Sequence, residues 1–261
     1  FLFSKKTIYC NGRKINNNKL SSFLEQKENS YQIDNDDCNI YFIETGNIPA
    51  MFIDTLKMDM EYINSDKSHV LDISAVIIDQ SGNTTVPVLS GSIKGRGNNS
   101  WDTPKKSYIL DFNEPVSILG MNDANKWILV PNSSDYSKIY NKTVYDFASE
   151  TGLEWTPRSA YINVYFDGEY NGLYLLCEKI EESGSRLDIG DNSLLCKREL
   201  PMRLDIVENG FLTENGNVIE ITYPKKVSSY HKELIVSDVQ GMEDAIFDLN
   251  GSAWKETIDV D

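Results

Sequence analysis

Histidine is nearly missing from this chain: His69 and His231 are the two among 261 residues. They stand far apart in sequence, so a Ser-His or Cys-His nucleophilic pair would need a tertiary coincidence. The usual catalytic signatures are missing as well, with no GxSxG elbow, HExxH pair, Walker lysine loop or EF-hand series. Cysteine is scarce, and Cys10, Cys38, Cys177 and Cys196 form no CxxC pair. With so little histidine, that argues against a structural zinc site. A Cys10–Cys38 disulfide is open to an exported chain, while four free thiols is the reading that weighs more.

No run approaches the roughly 20 consecutive apolar residues that span a bilayer. Positive charge is in deficit, with 25 Lys and Arg against 40 Asp and Glu and a net charge of −15. That balance argues against nucleic-acid binding, which draws its affinity from clustered cations. It leaves room for a local electropositive pocket that takes a small phosphate ligand. The composition is 40% hydrophobic and 11% aromatic, enough for a sizeable core, so global disorder is excluded. The first residue is Phe1, as in a trimmed or processed product, which is compatible with a removed export signal.

The pattern predicts an α+β fold, rich in strands, with a few helices. Residues 1–47 are polar and read as an irregular, short-stranded segment, and a domain is expected over 48–261. Ile48, Met51 and Ile53 suggest a strand, followed by strands at 71–78, 86–93, 107–112 and 127–130. A helix is expected near 138–150, capped by Ser134, Asp135 or Ser137, with Ile139, Val144, Phe147 and Ala148 at helical spacing. The runs 159–166 and 173–177 flank Asp167–Gly172 and read as a hairpin. Residues 181–217 read as charged loop, 218–222 as a strand, and 229–249 as a helix with Leu234, Val239, Met242 and Ile246 inward. No repeat or linker interrupts the pattern, so a single domain is the simplest organisation.

One segment stands out chemically. Over Gly91–Tyr108, glycines at 91, 95 and 97 accompany Lys94, Arg96, Lys105 and Lys106. Glycines let backbone N–H groups approach phosphate oxygens and the cations neutralise them. The competing reading is a tight β-turn with solvated basic residues and Trp101 tucked beneath. Glu178 and Lys179 end a core-like strand, a position that lines a cleft or forms a solvated strand edge. Asp135, Asp146, Asp188 and Asp205 are loose candidates for metal or acid roles, and nothing in their spacing pairs them. The tract Glu199–Glu208 reads as surface.

Several of these stretches together resemble the CotH family, named for a spore coat protein and regarded as atypical, secretory-type protein kinases. They are KGRGNNSW (94–101), KKSYILDF (105–112), residues 118–159 with their LGM and KW, VYFDGEYNGLYLLCEKIEESGSRLDI (164–189) and ITYPKK (221–226). The resemblance implies a kinase-like fold that uses ATP with Mg²⁺ or Mn²⁺ to phosphorylate Ser or Thr of coat or surface proteins. It places Arg96, Gly97 and Asn98 over the nucleotide phosphates, with Lys106 or Lys105 as the phosphate-contacting lysine. The 138–150 helix takes the place of the kinase regulatory helix, and Glu178 and Lys179 lie near the adenine side. An extracellular, cell-surface or spore-coat location follows from the same resemblance. The chain departs from the family in having Tyr140 where an Arg usually precedes the helix-starting Asn141. The family's catalytic aspartates are expected downstream of Asp261, so the present chain is expected to cradle phosphates without transferring them. A non-catalytic assembly scaffold and an extracellular binding module are the competing expectations.

Overall fold

The computed structural model describes residues 8–10, 13–15, 31–33, 47–56, 60–81, 83–153, 155–189, 193–207 and 209–248. The chain divides into two compact units, residues 1–180 and 181–261. Most of the 1–47 segment, the side chains of Cys10 and Cys38, and residues 249–261 lie outside the described set. Within it, β1 (Ile8–Cys10), β2 (Arg13–Ile15) and β3 (Tyr31–Ile33) form a small antiparallel sheet in the order β2-β1-β3.

A closed seven-stranded barrel dominates the first unit. Its strands are β4 (Ala50–Asp54), β5 (Val70–Ile78), β6 (Thr84–Arg96), β7 (Ser107–Val116), β8 (Ala124–Val130), β9 (Ser159–Phe166) and β10 (Glu169–Glu178). The order around the barrel is β10-β8-β7-β6-β5-β4-β9. All neighbours are antiparallel except β4 and β9, whose parallel pairing closes the ring. The β-branched and aromatic residues of these strands alternate between faces, and the inward set is fully buried. Trp127, Tyr108, Tyr174, Phe112 and Ile93 are each at most 2% exposed. Burying each such side chain stabilises by roughly 1.5–3 kcal/mol. The polar ends of the large aromatics are satisfied: Trp127 Nε1 donates to Ala124 O and the Tyr108 hydroxyl to Asn64 Oδ1.

Two helices accompany the barrel. Short α1 (Met60–Ser65) buries Ile63 in the core. Helix α2 (Tyr140–Ser149) carries no side-chain cap at its N-cap, Ile139. Asp135 serves it from five residues upstream, its Oδ2 accepting from Tyr140 N at 2.9 Å. None of its residues is buried, and Val144 and Phe147 are 62% and 70% exposed. The expected hairpin is present, with a two-residue turn at Asp167 and Gly168, both at positive φ, as right-handed strand twist favours. Beyond the turn the register slips between Tyr170 and Gly172, so β10 bulges there.

The second unit corrects two expectations. Residues 181–217 are not all loop, since they hold β11 (Leu195–Glu199) and β12 (Gly210–Leu212), which flank β13 (Val218–Tyr223). Strand β11 lacks apolar alternation because its charges pair locally. The Glu199 side chain is only 7% exposed, between Lys197 and Arg203, so the 199–208 tract is not simply surface. Helix α3 (Ser229–Phe247), capped by Ser228 Oγ, buries Ile235, Glu243 and Ala245. Leu234, Met242 and Ile246 are 39–47% exposed rather than inward, while Val239 does pack on the cluster around Phe211, Ile219 and Ile221. The true stripe runs 235, 239, 243, spaced four apart. A glutamate sits in it because Asn215 and Asn217 Nδ2 both donate to the Glu243 carboxylate. No helix among the described residues is long and apolar enough to cross a membrane.

Gly172 tests the bulge. It sits at φ +98, and a Cβ there would stand 2.8 Å from Lys105 Nζ. Gly172→Val should destabilise the fold by about 1–3 kcal/mol, read as a lower urea midpoint. An unchanged midpoint would mean the bulge relaxes at no cost.

Candidate functional site

The register of the barrel sorts the candidate residues by face. Residues paired across neighbouring strands project to the same side. Ile93, Leu110, Trp127 and Glu178 are successive partners across β6, β7, β8 and β10, and all are buried in the interior row. One residue along each strand, Lys94, Ile109, Ile128 and Cys177 form the next row, so they share the outer face. Arg96, two residues beyond Lys94, lies on that same face opposite Ser107.

Arg96 is half-buried there at the end of β6. Its Nη1 reaches Ser107 Oγ at 3.4 Å, a long contact, and no carboxylate among the described residues pairs with it. Burial pulls the guanidinium below its ordinary value, and Tyr145 of α2 and Cys177 of β10 are the groups that feel its charge. Burial also pushes the Cys177 thiol up to about 12, so it is no nucleophile. A guanidinium keeps its proton in a protein and carries five donors. The outer face therefore presents a fixed positive charge beside a partly covered apolar shelf formed by Ile109 and Ile128.

The loop that follows is tightly organised. Gly97 takes φ +97, and its carbonyl accepts from Lys67 Nζ at 2.9 Å. Asn98 is exposed and its carbonyl accepts from Trp101 N, forming one turn of 3-10 helix. The Trp101 indole lies against Gly95, where a Cβ would overlap the ring at 2.4 Å. Lys106 Nζ donates to Trp101 O at 2.6 Å and stands 4.9 Å from the indole centroid. Lys105 turns the other way, donating to Leu173 O and lying 4.2 Å from the Tyr174 ring centroid. Burial, reinforced by Lys138, pulls its ammonium down to about 8. Both lysines thus anchor the loop to backbone carbonyls, which leaves the exposed Lys94 and the half-buried Arg96 on the outer face to meet an anion.

Glu178 is placed differently from Arg96. Its carboxylate is fully buried on the interior row and accepts from Asn122 N, Arg158 N and Arg158 Nη2 at 3.0–3.1 Å. It ties the β7–β8 loop to the start of β9, and Arg158 Nη1 also reaches Gly120 O at 3.3 Å. Five residues of strand separate it from Leu173, which holds Lys105, a span of about 17 Å. The structure therefore does not bring Glu178 together with Arg96, Lys105 and Lys106. Lys179 is half-buried just past the end of β10. Residues not singled out from sequence complete the site: Ser107, Lys138, Tyr145 and Cys177. Only the long 118–159 and 164–189 stretches of the resemblance could have flagged the last three. Of the loose carboxylates, Asp135 caps α2 and Asp146 pairs with Lys142, while Asp188 and Asp205 are exposed. Among the described residues no three His, Cys, Asp or Glu gather as a metal site.

A family model described as CotH kinase protein matches residues 93–261, more than half of the chain, from within β6 through the second unit. No curated protein matches the chain.

Two measurements probe this arrangement. Between about 8 and the ordinary lysine value of 10.5, unfolded chain holds the Lys105 proton and folded chain does not. Stability from this residue therefore rises with pH across that window, and below it a steady penalty persists. Lys105 is half exposed, so solvent softens the effect. The stability gap between wild type and Lys105→Met should shift in favour of wild type from pH 8 to pH 10; a gap independent of pH would contradict it. Separately, Arg158→Ala should cost about 3 kcal/mol, because it strips a buried carboxylate of its cation. A loss below about 1 kcal/mol in denaturant titration would show that the two backbone donors suffice.

Proposed function

The chain belongs to the CotH family, and on that footing we propose that it is a CotH-type protein kinase domain. It binds ATP with Mg²⁺ or Mn²⁺ on the outer barrel face, as the phosphate-cradling part of a kinase whose substrates are Ser or Thr of coat or surface proteins. The expectation that this chain by itself does not transfer the phosphoryl group stands beside that reading. The observation that carries the reading is the half-buried Arg96 guanidinium, which has no carboxylate partner among the described residues of a chain with net charge −15. Phosphate oxygens match the planar fork of a guanidinium and offer what the protein does not. Ile109 and Ile128 supply a flat apolar shelf on the same face, suited to a purine ring.

The order of elements supports the reading and also marks a difference. After the glycine loop between β6 and β7 come β8, helix α2 and the hairpin β9–β10. In the common protein-kinase layout, a lysine on the third strand contacts the phosphates and pairs with a helix glutamate. Here the third strand of the series carries Lys126, which faces Asp111 at 4.0 Å, and α2 contains no glutamate. Arg96 takes the positive role in this chain. A divalent ion, when bound with the nucleotide, would supply positive charge at the phosphates beside that of Arg96. Among the described residues no three His, Cys, Asp or Glu gather to hold such an ion by themselves. Arg96 holds and orients the phosphates, and Trp101 with Lys106 keeps the loop over them.

Calorimetric titration of ATP, with Mg²⁺ or Mn²⁺, tests this. Arg96→Ala should weaken binding by about 1.5–3 kcal/mol, the worth of a charge-assisted hydrogen bond. Lys126→Ala, whose partner is a protein carboxylate, should bind as wild type does. Equal affinity in wild type and Arg96→Ala would overturn the assignment.

A further inference from the structure

The glycine loop is held by a residue outside the stretch that the family model matches. Lys67 occupies the turn between α1 and β5, and its Nζ donates to Gly97 O at 2.9 Å across 30 residues of sequence. The turn itself is stiff. Asp66 Oδ1 accepts from Ser68 N and Ser68 Oγ, both at 2.7 Å, and His69 N donates back to Asp66 O at 3.1 Å. The His69 ring stacks on Tyr62 at 4.0 Å and 3°, and its Nδ1 lies 2.7 Å from Tyr62 O. Helix α1 is fixed to the barrel through fully buried Ile63 and through Asn64, which accepts from the Tyr108 hydroxyl. A rigid platform thus delivers one ammonium to one carbonyl of the loop.

We infer that Lys67 is a positioning residue for the phosphate loop, setting the direction of the peptide that links Gly97 to Asn98. This rests on the phosphate-site reading above. The peptide unit is planar and trans, so its C=O and the following N–H point opposite ways. With Gly97 O turned to Lys67, the Asn98 N–H is turned away from α1. Gly97 is the residue whose peptide could otherwise rotate: it sits at φ +97, a region that other residues rarely adopt. The contact spends the ammonium on the backbone, so Lys67 acts through the loop's shape. Sequence reading missed it because an isolated lysine in SDKSH carries no motif.

The test uses the full chain as wild type, Lys67→Met, Lys67→Arg and Arg96→Ala. The readouts are hydrogen exchange of the 94–101 peptide without ligand and calorimetric affinity for ATP with Mn²⁺ at low and high salt. In Lys67→Met the peptide should exchange faster, with the rest of the barrel unchanged. Affinity should fall on the order of tenfold, as loss of one hydrogen bond implies. Lys67→Arg, still a donor of similar reach, should recover most of both. The affinity ratio should persist at high salt, since screening removes a charge effect and not a change of loop shape. A ratio that collapses with salt would mean Lys67 acts only as a charge and would overturn the inference. Unchanged exchange of the 94–101 peptide in Lys67→Met would overturn it too. If wild type and Arg96→Ala both fail to bind ATP, the phosphate-site reading falls, and the exchange result still decides whether Lys67 clamps the loop.

Discussion

Parallel pairing of β4 with β9, while β4 also pairs with β5, turns an otherwise open sheet into a ring. Closure leaves no unpaired edge in the barrel and encloses one side of every strand. Because side chains alternate along a strand, enclosing one side dictates the other. Ile93, Leu110, Trp127 and Glu178 go inward; Lys94, Ile109, Ile128 and Cys177 go outward, with Arg96 beside them. The separation of a structural carboxylate from a chemical cation is a consequence of that geometry. Strand β4 lies before residue 93 and β9 after it, so one partner of the closing pair stands outside the stretch the family model matches and the other within it.

Four cations near one loop would repel one another if all were left to solvent or ligand. The structure resolves this by assigning them different tasks. Lys105 and Lys106 donate to backbone carbonyls and lie against aromatic rings, which fixes the loop without needing an acid. Burial, reinforced by Lys138, pushes Lys105 in the direction of proton loss, and a lysine can yield to it. An arginine cannot, so Arg96 keeps its charge in a half-buried place. What remains for an anion on the outer face is therefore the half-buried Arg96 guanidinium with the exposed Lys94 ammonium two residues before it.

The second unit repeats the same economy with the opposite sign. Glu243 enters the packed stripe of α3 because two asparagine amides from the β12–β13 turn receive it. Glu199 is nearly enclosed because Lys197 and Arg203 flank it. Buried polar groups with partners are tolerable, and the partners come from segments that read as loop.

How much could be read in advance differs by element. The strands at 71–78 and 159–166, the hairpin after Phe166, β13 and the extent of α3 were legible, since alternation, glycine position and capping are local properties. The turn read over Asp167–Gly172, by contrast, is only two residues long, and the next strand begins at Glu169. The basic, glycine-containing segment was legible too, as chemistry. Which of its cations faces outward was not, because Arg96, Lys105 and Lys106 look alike until Leu173, Trp101 and Ser107 arrive from elsewhere in the fold. The inward face of α3 was read correctly at Val239 and wrongly at Leu234, Met242 and Ile246. The place of Glu243 could not be foreseen because the two asparagine amides that receive it come from another element. The role of Glu178 was hidden for the same reason, as its donors lie 20 and 56 residues away. Residue type and periodicity by themselves determined the strands, the turn and the presence of a local positive island. Closure of the barrel decided which side chains share a face, because pairing partners far apart in the chain set register, and register sets direction.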